Sequence, residues 1–168
     1  PLNEFYFLLK HLVDYDKHAN LPGFEDVGME MVEAILPEAA KFFENIVAPT
    51  NLETDKQGTE LNNGEVNVAP AIRGLGAQMA ESGWTGLGGS RQYEGSGFPG
   101  VIDLAVQEML QSANMSLSLL PLLTKGVIHA LSLYGSDEQK AQFLTKLTTG
   151  KWSGTMNLTE PQAGSDLS

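Results

Sequence analysis

The chain has 168 residues, 42% hydrophobic and 18% charged, which suits one ordinary globular core and leaves little room for a second. It contains no cysteine, so a disulfide framework and a thiolate metal site are both excluded. The net charge of -11 argues against nucleic acid as a partner, because binding phosphate backbones needs a basic footprint.

Residues 1–60 hold 12 of the 21 acids and 4 of the 10 bases, so the acidity is concentrated at the N-terminal end. A solvated acidic face accounts for this, and a docking surface for a basic partner is the alternative. The greasiest run, Leu117 to Leu123, is short and is followed by Lys125, so no membrane span is expected. No signal-peptide pattern opens the chain, and the lack of cysteine fits a reducing compartment; a cytoplasmic location is the expectation. The sequons at Asn114 and Asn157 read as chance, and the start at Pro1 suggests that both ends are cut.

In chain order, Glu4 to Tyr15 reads as a first helix, stopped by a turn through Asn20-Leu21-Pro22-Gly23. From about Glu25 to Val47, apolar residues recur at Val27, Met31, Ile35, Ala39, Phe42 and Ile46, which predicts a helix buried along that stripe. Pro37 should kink or divide it. Residues 49–68 are polar, with Asn62-Asn63-Gly64, and read as a loop or tight hairpin. Pro70 opens a helix to Glu81, and the glycine-rich stretch from Gly83 to Gly97 reads as irregular.

A central helix is predicted over 99–113, then one over 117–134 that is interrupted at Pro121 and closed by Gly135. Ser136 and Gln139 form a capping box for the next helix, which ends at Gly150. There the period changes from three or four to two. Trp152, Gly154, Met156 and Leu158 alternate with Ser153, Thr155, Asn157 and Thr159, which predicts a strand. A lone strand after six or so helices lacks hydrogen-bonding neighbours, so its sheet is expected in sequence beyond Ser168.

Few residues carry a chemical signal. Gly95-Ser96-Gly97-Phe98-Pro99-Gly100 matches G-x-G-x-x-G, but no apolar strand precedes it, so a flexible lead-in to the next helix is favoured over a phosphate loop. His11, His18 and His129 are scattered, which favours packing over metal ligation, and none neighbours a nucleophile motif. Glu108 sits in an apolar helix and should need a partner or a shifted pKa; a structural hydrogen bond and a catalytic role both stay open. In the tail, Thr155, Asn157 and Thr159 share one strand face. Gly164 and Ser165 then supply a bend with exposed amides and a hydroxyl, suited to a phosphate-bearing planar cofactor.

Thr159-Glu160-Pro161-Gln162-Ala163-Gly164-Ser165-Asp166 resembles the signature of the acyl-CoA dehydrogenase family. Gln92-Tyr93-Glu94-Gly95-Ser96-Gly97, the Tyr134 to Lys140 segment and Thr149-Gly150-Lys151-Trp152 follow the family's order, so the resemblance covers roughly residues 70–168. Phe7-Leu8-Leu9, Ala34-Ile35-Leu36 and Ala40-Lys41-Phe42 resemble a larger branch with an N-terminal helical extension, which includes the methylmercaptopropionyl-CoA dehydrogenases.

The resemblance implies an all-α fold, the N-terminal helical bundle of that family, ending at the first strand of a missing β-barrel domain. It divides the chain into an extension (1–60), the helical domain (61–151) and the start of the flavin-binding β-domain (152–168). It implies FAD as cofactor, acyl-CoA as substrate, an electron-transfer flavoprotein as electron acceptor, and a homo-oligomer. Leu158 would present backbone groups to the flavin ring and Thr159 its hydroxyl; Gly164 and Ser165 would meet the pyrophosphate, and Met156 would lie near the flavin or the acyl chain. The family's catalytic carboxylate belongs to a later helical domain, so no catalytic residue is expected here. Related flavoproteins that oxidise nitroalkanes or respond to alkylation damage are the same-fold alternative, and a non-catalytic helical interaction module is the other.

Overall fold

The computed structural model describes residues 2–164 and 166, and eight α-helices carry most of that chain. Helix α1 (Leu2–Phe7) runs into a π-helical turn at Leu8–Leu12, and α2 (Tyr15–Ala19) follows. Helix α3 (Met29–Phe42) continues into a second π-helical turn at Phe43–Val47 and then a short helix α4 (Asn51–Gln57). A two-stranded antiparallel hairpin, β1 (Glu60–Asn62) and β2 (Glu65–Asn67), pairs Leu61 with Val66. Its turn residues Asn63 and Gly64 both have positive φ (52° and 82°), the conformation that favours Asn-Gly in two-residue hairpins. Helix α5 (Leu75–Glu81) precedes the glycine-rich loop, and α6 (Gly100–Ala113), α7 (Met115–Tyr134) and α8 (Asp137–Thr148) complete the bundle.

The core lies where α3, α6 and the start of α7 meet, with Phe5 and Leu9 closing one end and Trp84 and Leu87 another. On α3 and the π-helical turn that continues it, the buried stripe is Val32, Leu36, Ala39, Phe43 and Val47. The expected stripe is therefore shifted by about one residue: Met31 and Ile46 are exposed, while only Val27 and Ala39 of the predicted set are fully buried. Two adjacent apolar stripes coexist here: one fills the core, and Ile35 and Phe42 of the other pack half-buried against it.

Neither internal proline divides its helix. Pro37 and Pro121 both sit inside unbroken helices. Each removes one backbone donor, and the packing around it outweighs that local loss. Continuity through Pro121 makes α7 20 residues long, with a mean hydropathy of 1.4 over its most apolar 18 residues, enough by length and composition alone to cross a bilayer, contrary to the expectation from the shorter run. Lys125 near its middle is held instead by Asp103 of α6, with Nζ donating to both carboxylate oxygens at 2.6 Å.

The capping box of α8 is complete: the Gln139 amide donates to Ser136 Oγ at 3.3 Å, and the Ser136 amide donates to Gln139 Oε1 at 2.8 Å. Asn114 caps α7 from a buried position, accepting from the Leu117 amide at 3.0 Å. Burial leaves its side-chain amide inaccessible to a glycan, in keeping with a chance sequon. The alternating segment 152–159 forms no strand among the described residues. A strand needs a ladder, and here only the Trp152 and Gly154 amides find partners, both on helices.

Candidate functional site beside the C-terminal segment

The segment after α8 leaves the bundle in three fixed steps. Trp152 is the first, its amide donating to the Lys146 carbonyl at 3.0 Å while Lys146 Nζ sits 4.1 Å above its ring. Phe143 packs on the same indole. Gly154 is the second: its amide donates to Thr124 Oγ1 of α7 at 3.1 Å. A β-carbon at Gly154 would stand 2.7 Å from Val127 Cγ2, so only glycine permits this approach. Met156 is the third, with its sulfur against Gly126 of the same helix.

Beyond these anchors the chain is open. Met156 and Leu158 are 46% and 54% exposed, and Thr155, Asn157, Thr159 and Gly164 are also solvent-accessible. No backbone group from Thr155 to Thr159 has a hydrogen-bond partner among the described residues. Glu160 and Ala163 then exchange two backbone bonds, at 3.0 and 3.1 Å, closing a tight turn around Pro161-Gln162. Proline at the second position of such a turn supplies the φ it requires. The predicted contacts Met156, Leu158, Thr159 and Gly164 are therefore all exposed, while Ser165 falls outside the described residues.

Helix α7, which anchors this run through Thr124, Gly126 and Val127, also carries exposed Leu119, Leu120, Leu122 and Leu133. A small cavity of about 60 Å³ between α7, α8 and the start of the tail is lined by Met79, Pro121, Thr124, Ile128, Leu147 and Trp152 among others.

The other sequence candidates resolve differently. Glu108 is exposed on α6, so the requirement for a buried partner disappears. In the glycine-rich loop, the amides of Gly95, Ser96, Gly97 and Phe98 already donate to the carbonyls of Ser90, Gly86, Gly89 and Leu87. A phosphate cradle needs those donors free. Arg91 ties the same loop to Asp26 at 2.7 Å, and the hydrogen bond it donates holds the Asp26 carboxyl below the usual carboxylate range. No group of three or more potential metal ligands occurs among the described residues. Thr124 and Gly126, which receive the tail, carried no sequence signal because their role depends on a partner about thirty residues away.

Comparison with known proteins fits this architecture. Residues 29–151 match the family model described as acyl-CoA dehydrogenase, N-terminal domain. Over its whole length the chain is 41% identical to a 3-methylmercaptopropionyl-CoA dehydrogenase of Ruegeria pomeroyi, covering 29% of that protein. It is 28% identical over 99% of its length to a butyryl-CoA dehydrogenase of Syntrophomonas wolfei, covering 28% of it. Among solved structures, butyryl-CoA dehydrogenase from Megasphaera elsdenii superposes with a TM-score of 0.65 at 26% identity, over 81% of this chain and 34% of that one. The chain belongs to the acyl-CoA dehydrogenase family, and it spans under a third of the length of the curated relatives it matches. Its fold is the helical N-terminal domain seen in those enzymes.

Proposed function

We propose that this chain forms the N-terminal helical part of an FAD-dependent acyl-CoA dehydrogenase, which introduces an α,β double bond into an acyl-CoA thioester. The observation that carries the proposal is the exposed run from Thr155 to Thr159 beside α7, whose backbone groups, hydroxyls and amide have no hydrogen-bond partner among the described residues. These residues fit a flavin in kind: a ring edge with several polar atoms needs donors and acceptors that the fold has not used. Bound flavin would supply the hydride acceptor for the β-hydrogen.

Leu158 would meet the ring through its backbone and Thr159 through its hydroxyl. Gly164, and Ser165 beyond it, would approach the pyrophosphate, where a short glycine turn lets the backbone come close. The outer face of α7, with Leu119 and Leu122, would line one side of the acyl chain's path and exclude water from it. The base that removes the α-proton would come from outside these 168 residues. Electrons would leave to an electron-transfer flavoprotein, and the assembly would be a homo-oligomer in the cytoplasm.

The test is the Thr159→Val substitution in the full-length protein. Loss of one hydrogen bond should lower FAD affinity by roughly two- to tenfold. Flavin content and affinity equal to wild type would remove Thr159 from the site.

A further inference from the structure

We infer that Thr124 is a positioning residue for the flavin-contacting run, a register pin that sets which side chains of residues 154–159 face the cofactor. Its hydroxyl lies 2.8 Å from the Leu120 carbonyl, 3.1 Å from the Gly154 amide and 3.4 Å from the Gly154 carbonyl. A hydroxyl has one proton to donate and lone pairs that accept. The shorter contact takes the proton to Leu120, which orients the oxygen to receive the Gly154 N–H. Helix α7 thus offers one correctly aimed acceptor to a chain that otherwise has no ladder.

Two steric features make the position unique. Only glycine clears Val127 at residue 154, and Gly126 leaves the room that Met156 occupies. A slip by one residue would bring Ser153 or Thr155 against Val127 and would exchange the two faces of the run, because side chains alternate with period two. Thr159 lies five residues past the pin, about 17 Å of extended chain. Without the pin, only the packing of Gly154 on Val127 and of Met156 on Gly126 holds the phase between Trp152 and the Glu160–Ala163 turn among the described residues.

Given the flavin assignment above, on which the functional consequence rests, Thr124 acts on the cofactor through Gly154 without touching it. Thr124→Val keeps the shape and removes the acceptor; Thr124→Ser keeps the acceptor and removes a methyl. In the full-length apoprotein, Thr124→Val should speed exchange of the Gly154 amide about tenfold, while Thr124→Ser stays within twofold of wild type. On adding FAD, Thr124→Val should raise Kd roughly two- to tenfold and alter the shape of the visible flavin band, again with Thr124→Ser near wild type. Gly154→Ala, which leaves the helices intact and pushes the tail off Val127, should do the same should Thr124→Val fail to fold.

Unchanged Gly154 exchange and an unchanged flavin band in Thr124→Val would overturn the inference while leaving the flavin assignment standing. A Thr124→Ser protein as impaired as Thr124→Val would also overturn it, since the hydroxyl would then not be the agent. A wild-type protein that binds no FAD would remove the flavin assignment and the functional role of Thr124 together, whatever the exchange data show.

Discussion

Asn114 should be among the most sensitive polar positions in the bundle, and the sensitivity should depend on its amide nitrogen as much as on its oxygen. The side chain is 1% exposed at the junction of α6 and α7. Its oxygen caps α7, and its nitrogen donates to Thr50 Oγ1 at 3.1 Å and Thr54 Oγ1 at 3.3 Å. Both threonine hydroxyls have already sent their own protons to the Val47 and Thr50 carbonyls, so they can only accept from Asn114. Asn114→Ala removes a cap worth about 1 kcal/mol and two neutral hydrogen bonds of about 1 kcal/mol each. The expected loss is therefore roughly 2–4 kcal/mol.

Asn114→Asp keeps the cap, and aspartate caps as well as asparagine does. It replaces a double donor with an acceptor facing two oxygens in a buried site, so it should cost at least as much as alanine. Urea denaturation of the chain, followed by circular dichroism and tryptophan fluorescence, measures both variants. An Asn114→Asp protein as stable as wild type, with Asn114→Ala losing only the cap, would refute the threonine network.

Leu36→Ala should destabilise the chain by about 2–5 kcal/mol and Met31→Ala by under about 0.5 kcal/mol, because only the first faces the core; equal midpoints in urea would contradict the buried stripe. Lys125→Met should leave the half-buried Asp103 carboxylate unpaired and lower stability by about 1–3 kcal/mol, with Lys125→Met/Asp103→Leu recovering much of it; a double variant no better than the single would count against the pair. Tyr15 is buried and donates to the Val27 carbonyl at 2.8 Å, and burial raises its pKa above the ordinary 10.0. A raised tyrosine pKa gives stability that is full below 10.0 and is lost as pH rises through the folded value, so Tyr15→Phe should flatten the alkaline limb of the stability profile; an unchanged limb would show that Tyr15 does not titrate there.

Local chemistry made parts of the fold readable in advance. Ser136 and Gln139 announce a helix start because both capping bonds form within four residues. Asn63-Gly64 announces a hairpin because few other pairs accept two positive φ values. What depended on distant partners was not readable. The rotation of α3 by one residue reflects which stripe fills the core, and sequence spacing alone supports both stripes. Pro37 and Pro121 obey tertiary packing over local propensity. At the site, the exposed run could be picked out from its period and from the family signature. Its anchoring by Thr124, Gly126 and Val127 could not, since those residues look like ordinary positions of an apolar helix.

The central claim is that this chain builds one wall of a flavin and acyl-CoA site. Anaerobic titration of the full-length protein with a panel of acyl-CoAs, followed in the visible spectrum, tests it most directly. A yellow protein that bleaches with at least one thioester is the predicted result. A protein that holds no flavin, or a flavin that no acyl-CoA reduces, would contradict it.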